Sequence, residues 1–149
     1  MTINALEGSA MPIYGRGENI RDWLYVDDHA KALWTILRQG RTGECYNVGG
    51  RSEMRNIEVA TMICDLVDEM ASPLAGGKTR RELITFVTDR PGHDERYAID
   101  ARKIGDELNW QPSEDFASGL RKTVAWYLAN ENWWKPMRAA AINRLGLMK

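Results

Sequence analysis

Apolar residues recur at helical spacing in three stretches of the chain. Ala30, Leu33, Trp34 and Leu37 repeat at intervals of three and four, with Asp27 or Asp28 as the cap and Gly40 as the stop. Ile57, Ala60, Ile63, Cys64 and Val67 form a second stripe, with Asn56 just before it. Phe116, Leu120, Val124, Tyr127 and Leu128 share a face of the strongest helix, for which Ser113 and Asp115 are candidate caps. Trp133, Trp134 and Pro136 end it, and residues 137–149 read as a last helix or a frayed tail. Two shorter helices complete the set. Thr2 to Glu7 reads as the tail of a helix closed by Gly8, which suggests that a segment precedes it. Asp100 caps another that runs through Leu108, and Pro112 helps to break the chain after it.

The extended segments are few. Pro12 to Gly15 is β-prone, and Ile20 to Val26 reads as a strand with Trp23 and Tyr25 on one face. Cys45 to Val48 is a short strand ending at Gly49-Gly50, and Ile84 to Val87 is a strand of the buried type. Gly15 to Asn19 carries turn chemistry, Ser72 to Thr79 is a small-residue loop, and Asp89 to Asp94 is a polar one. The pattern predicts an α/β fold, a small mixed sheet with packed helices. It has too few strands for a complete doubly wound nucleotide fold.

Composition narrows the partners. The 149 residues fit one domain, with 44% apolar and 28% charged residues. Lys and Arg total 20 against 21 for Asp and Glu, a net charge of −1. That balance argues against nucleic acid or an anionic membrane as partner, so any anion site is local. Cys45 and Cys64 make no disulfide framework and point to a reducing cytoplasm. No signal peptide is visible, and no apolar run approaches the roughly 20 residues of a membrane span.

The familiar catalytic motifs are missing from these residues. Gly15-x-Gly17 has Ile20 where a dinucleotide loop needs its third glycine, and it leads into a strand. Gly76-Gly77-Lys78-Thr79 ends like a phosphate loop, but Ser72 stands where its first glycine belongs. His29 and His93 lie outside any spaced metal-ligand cluster, so no metal is expected. Tyr25 and Lys31 lack the spacing that puts a Tyr–Lys pair on one helical face.

Two loops carry binding candidates. Arg21 opens a strand after a glycine turn, and Arg90 precedes Pro91-Gly92. An arginine fork matches phosphate oxygens in pairs, so two converging forks suit a diphosphate. The simpler reading pairs Arg21 with Asp22, and Arg90 with Asp89 or Asp94. Tyr14 can stack on a base or a sugar, or simply pack; Asn56 can cap a helix; His93 can donate to a ligand or fix its loop.

Read together, these loops carry a resemblance. The run Tyr14-Gly15-Arg16-Gly17-Glu18-Asn19-Ile20-Arg21-Asp22-Trp23-Leu24-Tyr25-Val26-Asp27-Asp28-His29-Ala30 resembles a signature of the dTDP-glucose 4,6-dehydratases. So do Tyr46-Asn47-Val48-Gly49-Gly50, Asp89-Arg90-Pro91-Gly92-His93-Asp94, Arg96 to Asp100, and Gly119 to Leu128. Tyr-Asn-Val-Gly-Gly recurs across extended short-chain dehydrogenase/reductases; the Arg-Asp-Trp and Asp-Arg-Pro-Gly-His-Asp segments point to the dehydratase branch.

The resemblance implies the C-terminal substrate-binding part of such an enzyme without its Rossmann domain. In the family that domain holds NAD and the catalytic Tyr-x-x-x-Lys pair. The residues here are expected to bind no NAD, to include no catalytic residue and to be inactive alone. Residues 1–134 would form the nucleotide-sugar-binding domain and 135–149 a variable tail. The family pattern assigns Pro12, Ile13 and Tyr14 to the nucleoside end, Arg21 and Arg90 to the diphosphate with Asn56 close by, and Asp89, Arg90, Pro91, Gly92 and His93 to a covering loop. The expected ligand is dTDP-glucose or dTDP. Residues 27–50 would pack on the Rossmann domain, so Leu33, Trp34 and Leu37 are expected to be exposed and to promote self-association. The alternatives are a non-catalytic diphosphate-binding module or inert remnant, and another nucleotide-sugar epimerase or decarboxylase.

Overall fold

A computed structural model describes the backbone of residues 1–144 and the side chains through Ala139. Among the described residues six α-helices, two short 3-10 helices and four short strands follow one another in mixed order. α1 (Thr2–Glu7) ends at Gly8 in the left-handed conformation, as its sequence predicts. β1 (Met11–Tyr14) pairs in parallel with β4 (Ile84–Val87), Met11 opposite Ile84 and Tyr14 opposite Val87. β2 (Ile20–Asp22) pairs antiparallel with β3 (Glu53–Arg55).

The main core forms around α3 (Asn56–Met70), where Ala60, Ile63, Cys64 and Val67 of the expected stripe are buried, Ile57 is only half-buried, and Val59, outside that stripe, is buried as well. It packs on Ala5 of α1, Met11 and Ile13 of β1, and Val124 of α5 (Phe116–Ala129). Arg80 pins this core. Its side chain is 3% exposed and donates to the Ala5 carbonyl at 2.8 Å, Asp68 Oδ1 at 2.7 Å and the Ser72 carbonyl at 3.0 Å. A smaller core joins Ala32 of α2 (Val26–Gln39) to Ala101, Trp110 and Ile104 of α4 (Arg102–Leu108).

Several elements depart from the sequence reading. β2 stops at Asp22 instead of Val26, because the Asp22 carboxylate accepts the Gly50 and Ser52 N–H groups and turns the chain. Tyr25, and neither Asp27 nor Asp28, stands at the N-cap of α2. The Asp28 carboxylate instead accepts from the Ser113 and Glu114 N–H groups, at 3.0 and 2.9 Å. Burial would raise its pKa, but these bonds, with the Ser113 hydroxyl and Lys31, hold it below the ordinary value. Ser113 therefore clamps α2, and Asp115 caps α5 by accepting from Ser118 N–H at 2.8 Å.

Residues 45–48 form no strand, since no neighbouring strand pairs with them among the described residues. The chain just beyond them passes so close to Trp23 that a Cβ on Gly50 would lie 1.8 Å from the Trp23 carbonyl oxygen. β4 is not buried: Phe86 is 59% exposed, because the two-stranded sheet leaves its far side uncovered. Asn56 is the first residue of α3 and Arg55 its N-cap, with Glu58 accepting from Arg55 N–H at 2.9 Å. Trp133, Trp134 and Pro136 lie inside α6 (Glu131–Arg144) and do not terminate α5; the break falls at Asn130. Trp134 is buried and donates its indole N–H to the Tyr127 carbonyl at 2.8 Å. Residues 145–149 of the expected tail lie outside the described residues.

Leu33, Trp34 and Leu37 of α2 are 52–76% exposed, an uncovered apolar face of the kind the resemblance implies, and Val26 is exposed as well. Among the described residues no helix is long and apolar enough to cross a membrane.

Candidate functional site

The parallel pair β1–β4 directs two loops to one end of the molecule. The chain leaves β1 at Tyr14 through a turn in which Gly15 and Gly17 both have positive φ, 55° and 73°. A Cβ at Gly17 would also meet Ile13 Cγ2 at 2.7 Å, so only glycine fits there. The chain leaves β4 toward Asp89, and Pro91-Gly92, with Gly92 at φ 69°, supplies the residue order of a type II turn. Beyond it the backbone returns to β2: Ile20 N–H donates to the Glu95 carbonyl at 2.7 Å, and Tyr97 N–H to the Ile20 carbonyl at 3.1 Å.

These loops bring Asp89, His93 and Arg21 into a relay. Asp89 Oδ1 lies 2.7 Å from His93 Nδ1, and His93 Nε2 lies 3.1 Å from Arg21 Nη2. A carboxylate only accepts and a guanidinium only donates, so the proton sits on Nδ1 and Nε2 is the acceptor. The His93 bond holds the Asp89 carboxyl below the usual carboxylate range. The His93 side chain is 8% exposed and meets Tyr14 edge-on at 6.1 Å. It is thus buried among the residues it orients.

Arg21 does not pair with Asp22. Its Nη1 donates to the Ile20 carbonyl at 2.6 Å and reaches that of Glu95 at 3.5 Å, while Nη2 also donates to the Asp94 carbonyl at 2.9 Å. Of its five N–H groups, only Nε–H lacks an acceptor among the described residues. Tyr97 lies beneath it, with Arg21 Cζ 4.3 Å from the ring centroid.

Arg90 is the contrast. It is exposed, and its guanidinium makes no hydrogen bond or ion pair among the described residues; only its backbone N–H is engaged, by Asp89 Oδ1 at 2.8 Å. The simple pairing with Asp89 or Asp94 is therefore absent. Asp89 is taken by His93, and Asp94 accepts the Tyr97 hydroxyl.

Tyr14 is 53% exposed beside this cluster, and Pro12 is exposed on the same face of β1. Ile13 points the other way, into the core at 4% exposure, so it offers a ligand only backbone. Asn56 touches the cluster indirectly: its N–H donates to the Asn19 carbonyl at 3.0 Å, and Asn19 Nδ2 donates to the Asp94 carbonyl at 3.1 Å. Two open depressions of about 420 Å³ lie elsewhere, along α4, one lined by Arg41, Tyr46 and Glu107 and the other by Asn47, Asp100 and Lys103. The loop cluster is an exposed surface with donors on it.

The loop after β4 and the Arg21 strand also lie within the stretch that matches a known family. The model of the GDP-mannose 4,6 dehydratase family matches residues 1–123. The chain belongs to this family. A probable dTDP-glucose 4,6-dehydratase of Sinorhizobium fredii is 58% identical over 151 residues, an alignment covering 100% of this chain and 42% of that protein. The crystal structure of dTDP-glucose 4,6-dehydratase from Bacillus anthracis in complex with NAD superposes with a TM-score of 0.77 at 48% identity, covering 91% of this chain and 40% of that one. DesIV, a dTDP-glucose 4,6-dehydratase of Streptomyces venezuelae with NAD and TYD bound, gives a TM-score of 0.78 at 38% identity, covering 91% and 39%. The chain thus spans about two fifths of the length of these relatives.

Sequence reasoning missed two members of the cluster. Asp94 was offered only as a partner for Arg90, whereas it accepts from Arg21 and Tyr97; Tyr97 stood in a family-like segment without any role and gave no spacing signal, because it meets Arg21 across 76 positions of chain. No group of three or more His, Cys, Asp or Glu side chains among the described residues could hold a metal.

Proposed function

We propose that this chain is the nucleotide-sugar-binding portion of a dTDP-glucose 4,6-dehydratase, with residues 1–134 as the binding domain and 135–149 as a variable tail, whose start continues α6 and reaches α1 through Arg138 and Asn4 at 2.8 Å. The observation that carries this is the free Arg90 guanidinium on the turn after β4. Ligands of parallel α/β sheets gather beyond the carboxyl ends of the strands, and a five-donor fork matches a diphosphate. Arg21 adds a fixed positive charge and its Nε–H from a second side. Tyr14 offers a ring to the base or sugar, with Pro12 beside it and the Ile13 backbone behind. Asp89 and His93 orient Arg21, Pro91 and Gly92 set the turn, and Asn56 braces the loop through Asn19.

The reaction proposed for the enzyme to which this portion belongs turns dTDP-glucose into dTDP-4-keto-6-deoxyglucose. It oxidises C4, eliminates water across C5–C6 and returns the hydride to C6, with NAD as the hydride carrier. Residues 1–149 hold no Gly-x-Gly-x-x-Gly before a helix and no Tyr-x-x-x-Lys pair, so they have neither a dinucleotide cradle nor the phenol of that pair. By themselves they are expected to turn over no substrate. The free thiols of Cys45 and Cys64 suit a reducing cytoplasm. The uncovered face of α2 suits packing against the rest of such an enzyme, and self-association where that is lacking.

Calorimetry with dTDP tests the site. Binding should weaken about 10- to 100-fold in Arg90→Ala, the value of a charge-assisted fork. Equal heats for the two proteins would remove Arg90 from the site. Incubation with dTDP-glucose and NAD should yield no 4-keto-6-deoxy product, and its appearance would overturn the assignment of inactivity.

A further inference from the structure

Tyr97 has three separate contacts with Arg21 or with groups that hold it. Its ring lies under the guanidinium, 4.3 Å from Cζ to centroid. Its hydroxyl donates to Asp94 Oδ2, and the Asp94 carbonyl accepts from Arg21 Nη2 at 2.9 Å. Its backbone N–H donates at 3.1 Å to the Ile20 carbonyl, which also accepts from Arg21 Nη1 at 2.6 Å. Core packing does not account for this residue. Tyr97 is 52% exposed and belongs to neither apolar core.

We infer that Tyr97 is a positioning residue, which fixes the plane of the Arg21 guanidinium so that its charge and its remaining Nε–H are presented to a nucleoside diphosphate. This rests on the diphosphate reading of Arg21 and Arg90. A mobile arginine loses rotamer freedom when an anion captures it, and that loss weakens binding. A guanidinium already stacked on an aromatic face, with its Nη groups held by His93 and backbone carbonyls, has lost that freedom before the ligand arrives. Asp94 is part of the device. It receives the Tyr97 hydroxyl on its side chain and Arg21 on its carbonyl, so ring and loop move together.

The test has a ligand arm and a ligand-free arm. In calorimetry with dTDP, Tyr97→Leu should weaken binding about tenfold, as expected for loss of a partly desolvated cation–π contact. Tyr97→Phe keeps the ring and should recover most of that loss. In an Arg21→Ala background Tyr97→Leu should have no further effect, because it acts through Arg21. In the ligand-free arm, the Arg21 Nε–H NMR signal should be ring-current shifted in wild type and Tyr97→Phe, and unshifted in Tyr97→Leu. Equal dTDP affinity in wild type and Tyr97→Leu, or an Arg21 signal that does not respond to loss of the ring, would overturn the inference. Wild-type protein that shows the shifted signal but binds no dTDP would refute the diphosphate reading while upholding the Tyr97–Arg21 coupling.

Discussion

Replacing Arg80 by methionine should cost about 3 kcal/mol of stability, the lower end of what breaking a buried ion pair costs when one partner remains. The lower end applies because Asp68 keeps 29% side-chain exposure, and water can replace part of what it loses. The Ala5 carbonyl lies in a residue with no exposure, and with the guanidinium gone it keeps only the long bond from Gly8 N–H at 3.4 Å. A fold of this size has about 5–15 kcal/mol in total, so the loss is large but survivable. Urea melts should show the midpoint falling by about 1–2 M with an unchanged slope, and the thermal midpoint should fall by about 6–12 °C. Lysine at position 80 keeps the charge near Asp68 but cannot reach three acceptors in different directions, so Arg80→Lys should fall between the two. Adding Asp68→Leu to Arg80→Met removes the stranded charge and should recover part of the loss. The reasoning fails if Arg80→Met melts within about 1 kcal/mol of wild type, or if lysine restores full stability.

Gly50→Ala should destabilise by about 1–3 kcal/mol or more, measured by urea melts, because its Cβ would have to displace the Trp23 backbone. Asp100 is held at about 2 by its hydrogen bonds from Arg102. Its folded pKa lies below the ordinary aspartate value of 3.8, so what it contributes to stability is fully present above that pH and is lost as pH falls through about 2. NMR titration should show the low midpoint, and Arg102→Ala should move it back up. Light scattering should show assemblies larger than one chain, and Trp34→Glu should shrink them; a monomeric wild type would reject self-association through α2.

The helical periods were legible because they repeat locally: most of the α3 stripe follows from spacing, which also narrowed the α5 cap to Ser113 or Asp115. What failed depended on partners distant in sequence. Asp28 reads as a helix cap until Ser113 and Glu114 claim its carboxylate across 85 and 86 positions. Ile84 to Val87 looks buried because it is apolar, but whether anything covers a strand is not written in the strand itself. Arg80 adjoins what reads as a loose small-residue loop, and only folding reveals that its side chain points inward. In the candidate site the loops and both arginines were visible as charges beside turns. Which arginine is satisfied and which is free emerged only from the carbonyls of residues 20, 94 and 95 gathering around Arg21.

Among the described residues β1 has one strand partner, and that partner lies about seventy residues downstream. A nascent chain elongating at roughly 5–20 residues per second would leave β1 waiting on the order of 4–14 s before Ile84 to Val87 is made. Its open edge stays available to other chains for that interval. The turns at residues 15–19 and 89–94 are therefore joined late in biogenesis, and slowing translation across residues 56–83 should prolong this aggregation-prone stage more than slowing it after residue 97.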